Sequence, residues 1–150
     1  MSQPRQNILV LNGPNLNMLG VREPDVYGFK NLAAIALECE EYAGEIGFDI
    51  DFRQTNHEGE LITAIHEAKE TGAAGVIINA GAWAHTSIAI ADALRILDVP
   101  VVEVHITNTH KREAFRHHSY VAEVVTGVIC GFGGHGYILA LDALRGLIEE

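Results

Sequence analysis

Short apolar runs alternate along the chain with longer segments whose apolar residues recur at helical spacing. The short runs predict five strands: Ile8–Asn12, Phe48–Arg53, Gly75–Ala80, Val101–Ile106 and Gly127–Gly131. The longer segments predict four helices: Leu32–Ile46, Gly59–Thr71, Ser87–Leu97 and Ile138–Ile148. Strands that alternate with helices are typical of a parallel sheet with helices on both faces.

The apolar pattern within each strand indicates its place in the sheet. Strands 1, 3, 4 and 5 are nearly continuous apolar runs, which favours burial on both faces. Strand 2 alternates apolar and charged residues and is expected at an edge. With right-handed crossovers, the pattern predicts an α/β fold, a doubly wound three-layer sandwich with the flavodoxin-like strand order 2-1-3-4-5. A length of 150 residues predicts one domain, residues 1–150.

The predicted helices begin and end at suitable residues. Asn31 and Thr86 are expected to cap the first and third helices, and either Asn56 or His57 the second. Gly47 and Gly72 are expected to end the first two helices.

The charge balance excludes some partners. A formal net charge of −10 disfavours nucleic acid as a partner, since phosphate binding needs a basic face. Residues 105–118 nevertheless hold three Lys or Arg and four His against one Glu, which predicts a site for a small anion. The chain has no apolar run of membrane-spanning length and no apolar signal core, so we expect no membrane association and a cytoplasmic protein. Cys39 and Cys130 fit buried, reduced thiols better than a disulfide or a metal site.

In an open parallel sheet, ligands bind beyond the carboxyl ends of the strands, where the strand order reverses. A long polar segment, residues 12–28, follows strand 1 at that edge, and it predicts a mobile cover over a pocket. Tyr27 could act as a base only as its phenolate, and Arg22 could stabilise that charge. The alternative is that Tyr27 is a partly buried core tyrosine.

The end of strand 4 carries Glu103 and His105, which strand alternation places on the same face. The carboxylate could orient the imidazole, and histidine is the natural proton donor near neutral pH. The backbone amides of Ile106 and Thr107 could hold a carboxylate. The alternative interpretation is a purely structural histidine.

Asn79 and His85 follow strand 3 and are expected to face the same crevice. The alternative is that this segment only begins a helix, for which Thr86 and Ser87 are suited. Trp83 fits a packing residue or an interface residue equally well.

Residues 131–136 match the pattern G-x-G-x-x-G after a strand, so a nucleotide-binding module is one alternative function. Only 14 residues follow the match, too few for a second strand with a ribose-binding acid. A tight turn with close helix-to-sheet approach is favoured. The histidines of residues 105–118 lack the spacing of a metal site and favour a solvated or anion-facing cluster. A non-catalytic scaffold is a third alternative.

Three motifs resemble the type II 3-dehydroquinate dehydratase family, and the resemblance covers essentially the whole chain. The first is residues 12–17 with Arg22-Glu23-Pro24 and Tyr27-Gly28. The second is Asn79-Ala80-Gly81 with His85-Thr86-Ser87. The third is residues 103–106 with Arg112-Glu113 and residues 115–117.

The resemblance implies a single catalytic domain that removes water from 3-dehydroquinate by anti elimination through an enolate, in the shikimate pathway or in quinate catabolism. It implies that Tyr27 removes the C2 proton and that His105 protonates the departing C1 hydroxyl. Arg22 would keep Tyr27 ionised, and Asn15 would hold a water that stabilises the enolate oxygen. The expected binders of hydroxyls and carboxylate are Asn79, His85, Arg116, Ile106 and Thr107.

The family also implies trimers grouped into a homo-dodecamer, with Asp92 lent to a neighbouring subunit's site, and no metal or organic cofactor. Two positions depart from the family pattern. Thr107 stands where serine is usual, which keeps the hydroxyl. Trp83-Ala84 replaces a commoner Tyr-Thr or Leu-Thr pair.

Overall fold

A five-stranded parallel sheet forms the centre of the computed structural model, which describes residues 5–21, 25 and 30–149. Its strands are β1 (Gln6–Asn12), β2 (Phe48–Gln54), β3 (Gly75–Asn79), β4 (Val101–His105) and β5 (Gly127–Cys130). The order is β2-β1-β3-β4-β5. The predicted fold and strand order are therefore confirmed, and β2 lies at an edge as expected.

Within residues 30–149, four α-helices cover the sheet in two layers. They are α1 (Leu32–Glu45), α2 (Glu58–Thr71), α3 (Ile88–Leu94) and α4 (His135–Glu149). Alternate residues of β1 enter different cores: Ile8 and Val10 pack with α1 and α4, while Leu9 and Leu11 pack with α2 and α3. This alternation gives the sheet two buried faces and makes a three-layer sandwich.

The fifth strand is less covered than its apolar sequence predicts. Gly127 and Val128 are exposed, and Ile129 and Cys130 are only half-buried. The expectation of burial on both faces is wrong here because β5 is short and lies at the second edge of the sheet. Cys39 is fully buried and Cys130 is not, so only one of the two free thiols lies in the core. Burial, aided by the charges of Glu38 and Glu40, raises the pKa of Cys39 to about 12.

The helix starts are partly as predicted. The Asn31 side chain accepts a hydrogen bond from the N–H of Ala34 at 2.9 Å, which confirms the cap of α1. The expected cap of α3 is wrong: Thr86 ends the preceding 3-10 turn, and Ser87 accepts from the N–H of Ile90 at 2.9 Å. His57 occupies the N-cap position of α2 without a side-chain cap bond.

The helix boundaries differ from the prediction by three residues in two places and by one residue in others. Helix α3 ends at Leu94 rather than Leu97, because the last turn tightens to bonds from Ile96 to Ala93 and from Leu97 to Leu94. Helix α4 begins at His135, three residues before the predicted start. In the described part of the chain, the longest apolar helices fall short of what a membrane crossing needs.

Candidate active site

The carboxyl ends of β1, β3 and β4 bring the predicted site residues to one edge of the sheet. Asn12 on β1 pairs in register with Asn79 on β3, and the N–H of Gly13 donates to the carbonyl of Asn79 at 2.8 Å. The expectation that these loops share an edge is therefore confirmed.

A buried tyrosine joins these two strand ends. The hydroxyl of Tyr137 on α4 donates to Asn12 Oδ1 at 2.6 Å and accepts from Asn79 Nδ2 at 3.0 Å. Burial raises the pKa of the Tyr137 phenol, so it keeps the proton it donates. Asn79 Oδ1 accepts from the N–H of Gly81 at 3.1 Å. Since a primary amide has two N–H groups, Asn79 retains one for a ligand.

The segment after β1 is fixed by side chains at and just beyond the carboxyl end of β2. Asn15 has a left-handed backbone (φ 69°) and begins the 3-10 turn Leu16–Met18. Its N–H donates to Asn56 Oδ1 at 3.0 Å, and Gln54 Nε2 donates to the carbonyl of Gly13 at 3.1 Å. The predicted cover beyond this turn, with Arg22 and Tyr27, lies outside the described residues.

Glu103 and His105 form a direct pair at the end of β4. His105 Nε2 lies 2.5 Å from Glu103 Oε2, with the carboxylate fully buried and the imidazole nearly so. The predicted shared face is therefore confirmed. An ionised carboxylate can only accept, so Nε2 carries the hydrogen and the other ring nitrogen, Nδ1, is left for a ligand.

Glu103 has a second hydrogen-bond donor that the sequence pattern did not reveal. Ser119 Oγ donates to the same oxygen, Oε2, at 2.7 Å. Glu103 Oε1 is buried and has no hydrogen-bond partner among the described residues. The orientation of this carboxylate therefore depends on two donors at one oxygen.

His85 lies beside His105, with ring centroids 6.0 Å apart and planes 20° apart. Its Nδ1 donates to the carbonyl of His118 at 2.7 Å. Burial lowers the pKa of His85, and the nearby His105 and Arg116 lower it further against the opposing effect of the His118 bond. A neutral ring with hydrogen on Nδ1 presents Nε2 as an acceptor, which suits a ligand hydroxyl.

A cavity of about 170 Å³ lies against these residues. Its lining includes His85, Glu103, His105, Arg116, Ser119 and Cys130. Arg116 is held by Glu113, with Nε 2.7 Å from Oε2. Beyond His105, Ile106 is buried and Thr107 half-buried where the chain leaves β4. The structure thus gathers His85, His105 and Arg116 as the sequence predicts.

Neither Asp92 nor Trp83 is among the residues that line this cavity. Asp92 is exposed on α3. Trp83 is half-buried and packs on the core beneath α2 and α3. Ser119, Tyr137, Gln54 and Asn56 support the site but were not predicted as site residues. The position of Gln54 at the carboxyl end of β2 could have identified it as a site residue, because ligands bind at that edge of a parallel sheet.

The G-x-G-x-x-G segment makes a tight turn, as the favoured interpretation predicts. Gly131 has φ 96°, which other residues rarely adopt. At Gly136, an added Cβ would lie 3.3 Å from Val104, so α4 approaches β4 closely. Gly131 is therefore explained by its backbone conformation and Gly136 by close packing.

Comparisons with known proteins agree over almost the whole chain. Residues 6–145 match the family model described as dehydroquinase class II. A 3-dehydroquinate dehydratase of Rhizobium etli is 59% identical over 142 residues, which cover 95% of this chain and 97% of that protein. 3-Dehydroquinate dehydratase 2 of Pseudomonas aeruginosa is 58% identical over 137 residues, covering 91% and 92%. The crystal structure of a type II dehydroquinase from Propionibacterium acnes superposes with a TM-score of 0.92 at 48% identity, covering 97% of this chain and 99% of that one.

Proposed function

This chain belongs to the class II dehydroquinase family. We propose that it dehydrates 3-dehydroquinate in the cavity lined by His85 and His105. The protein is a hydro-lyase, and its reaction is the loss of water that yields 3-dehydroshikimate in the shikimate pathway. The observation that carries the assignment of the site is the buried Glu103–His105 pair, which leaves Nδ1 of His105 for the substrate.

The proposed chemistry is an anti elimination in two steps. Tyr27, as its phenolate, removes the proton from C2, and the electron pair of that C–H bond moves into the enolate of the adjacent ketone. The enolate then reforms the carbonyl and pushes out the C1 hydroxyl, which takes a proton from His105 and leaves as water. Arg22 keeps Tyr27 ionised, and a water held by Asn15 donates to the enolate oxygen.

Glu103 supports the proton transfer from His105. The carboxylate lies 2.5 Å from Nε2 and stabilises the positive charge that the ring carries before it gives up its proton. It also fixes the ring plane, so Nδ1 keeps one direction. The pair therefore supports general acid catalysis at the C1 oxygen.

The remaining site residues bind the substrate's hydroxyls and carboxylate. The free N–H of Asn79 and the Nε2 acceptor of His85 suit hydroxyl groups. The amides of Ile106 and Thr107, together with the Thr107 hydroxyl, suit the carboxylate, and Arg116 adds positive charge nearby. No metal or organic cofactor takes part in this proposal.

We further propose that copies of the chain complete each other's sites in a homo-dodecamer, a tetramer of trimers. Asp92 is exposed on α3, where it can reach a neighbouring copy. Val128, which lines the cavity, exposes 47% of its surface, and Phe132, two residues beyond β5, exposes 61%; a second copy would cover these apolar side chains. Residues 1–150 act as a single catalytic domain, and the two free cysteines support a cytoplasmic location.

Incubation with 3-dehydroquinate tests the function directly. We expect growth of the ultraviolet absorbance of the conjugated product. His105→Ala removes the proton donor, so kcat should fall by about 10²- to 10⁴-fold while the far-ultraviolet circular dichroism stays unchanged.

His66→Ala is the matched control, because His66 is exposed on α2. It should keep the wild-type kcat. Absence of product with the wild-type protein would contradict the function. Normal turnover in His105→Ala would contradict the assignment of the proton donor alone.

A further inference from the structure

Among the described residues, the hydroxyl of Ser119 donates one hydrogen bond and accepts another. Its oxygen accepts the N–H of Ala122 at 3.1 Å, at the start of the 3-10 turn Val121–Glu123. The hydrogen of the same hydroxyl donates to Glu103 Oε2 at 2.7 Å. Because the backbone bond fixes the oxygen, the serine is a directed donor rather than a freely rotating one.

The neighbours of Ser119 fix its position against the site. The N–H of Tyr120 donates to the carbonyl of Ala84 at 2.8 Å. The carbonyl of His118 accepts from His85 Nδ1 at 2.7 Å. The three consecutive residues 118–120 therefore bond to His85, to the Glu103 carboxylate and to the backbone next to His85.

Glu103 needs this donor more than a surface carboxylate would. It is fully buried, and its Oε1 has no partner among the described residues. Without the Ser119 hydroxyl, His105 would be the one remaining donor to the carboxylate in the described part of the site. The carboxylate could then rotate, and the imidazole would lose its fixed plane.

We propose that Ser119 is a positioning residue for proton donation: it holds the Glu103 carboxylate, which in turn orients His105. This inference rests on the proposed role of His105 as the proton donor. It adds Ser119 to the reaction as a residue that acts through Glu103.

The first test is Ser119→Ala compared with Ser119→Thr. Loss of one hydrogen bond to a charged group is expected to lower kcat by about tenfold, with KM for 3-dehydroquinate changed less than about twofold. Ser119→Thr keeps the hydroxyl and should recover most of kcat. An Ala variant with normal kcat, or a Thr variant as slow as Ala, would overturn the proposal.

Thr55→Ala is the matched control for a merely structural effect. The half-buried Thr55 hydroxyl also accepts a backbone N–H, from His57 at 3.0 Å, and also donates to a glutamate, Glu60. Glu60 lies on α2 and is exposed. Thr55→Ala should lower stability to a similar extent as Ser119→Ala but keep kcat. An equal loss of kcat in both variants would overturn the proposal.

A double-mutant cycle tests whether Ser119 acts through Glu103. In a Glu103→Gln background, the further change Ser119→Ala should alter kcat by less than about twofold, since the carboxylate is already gone. Full additivity of the two effects would overturn the proposal. If the wild-type protein itself makes no product, the proposed function fails instead, so the two failures are distinguishable.

Discussion

At the scale of single residues, the protonation state of His85 links stability to pH. Burial lowers its pKa in the folded chain, while in the unfolded chain the ordinary value of 6.5 applies. As pH falls below that value, the unfolded chain takes up a proton at this position before the folded chain does. The folded state is therefore destabilised as pH falls, until the folded-state pKa is reached.

We expect His85→Gln to flatten this part of the stability curve, because glutamine does not titrate. Melting temperatures measured from pH 7.5 down to pH 5 should fall less for His85→Gln than for the wild type. The control His66→Gln, on the exposed face of α2, should follow the wild-type curve. A curve for His85→Gln that parallels the wild type would contradict the expectation.

The residue-scale contacts differ in how far a sequence can reveal them. Glu103 and His105 are two positions apart on one strand, so the two-residue period places them together. The bond from Ser119 to Glu103 spans 16 residues, and the bond from Tyr137 to Asn12 spans 125. Such contacts depend on how loops and helices pack, for which the sequence offers no local period.

At the scale of elements, the cap of α3 gives a direct test. Ser87 accepts from the N–H of Ile90 and donates to Glu58 Oε2 at 3.1 Å, whereas Thr86 ends the turn before the helix. Ser87→Ala should therefore lower the free energy of unfolding by about 1–2 kcal/mol, measured by urea denaturation.

Thr86→Ala is the neighbouring control and should change that free energy by less than about 0.5 kcal/mol. A larger loss for Thr86→Ala than for Ser87→Ala would place the cap at Thr86 after all.

Element order was predictable, while element ends were less so. Each buried strand has an apolar run of its own. Short, right-handed connections then allow only a few strand orders in a sheet of βα units. The end of α3 depends on a tightened final turn, and the exposure of β5 depends on its lying at the sheet edge. Neither property is encoded in the apolar pattern itself.

At the scale of the whole molecule, the exposed side chain of Val128 on β5 tests the proposed assembly. Val128→Asp would bury a charge wherever a second copy covers β5. We expect light scattering to show a smaller particle than the wild type and turnover to fall with it.

Leu37→Asp is the matched control, since Leu37 is also an exposed apolar residue but lies on α1. It should leave the particle mass unchanged. An unchanged mass for Val128→Asp would argue against assembly through β5. The sequence could predict this association only through family resemblance, because the apolar run of β5 is the same as that of a strand buried within one chain.

The hydroxyl of Tyr137 has a consequence for the order in which the protein matures. It joins Asn12 on β1 to Asn79 on β3, yet it belongs to α4, which follows β5 along the chain. During synthesis the early strands leave the ribosome long before this helix does. The link between the ends of β1 and β3 therefore stays incomplete until α4, which carries Tyr137 58 residues after Asn79, has been synthesised and has packed on the sheet.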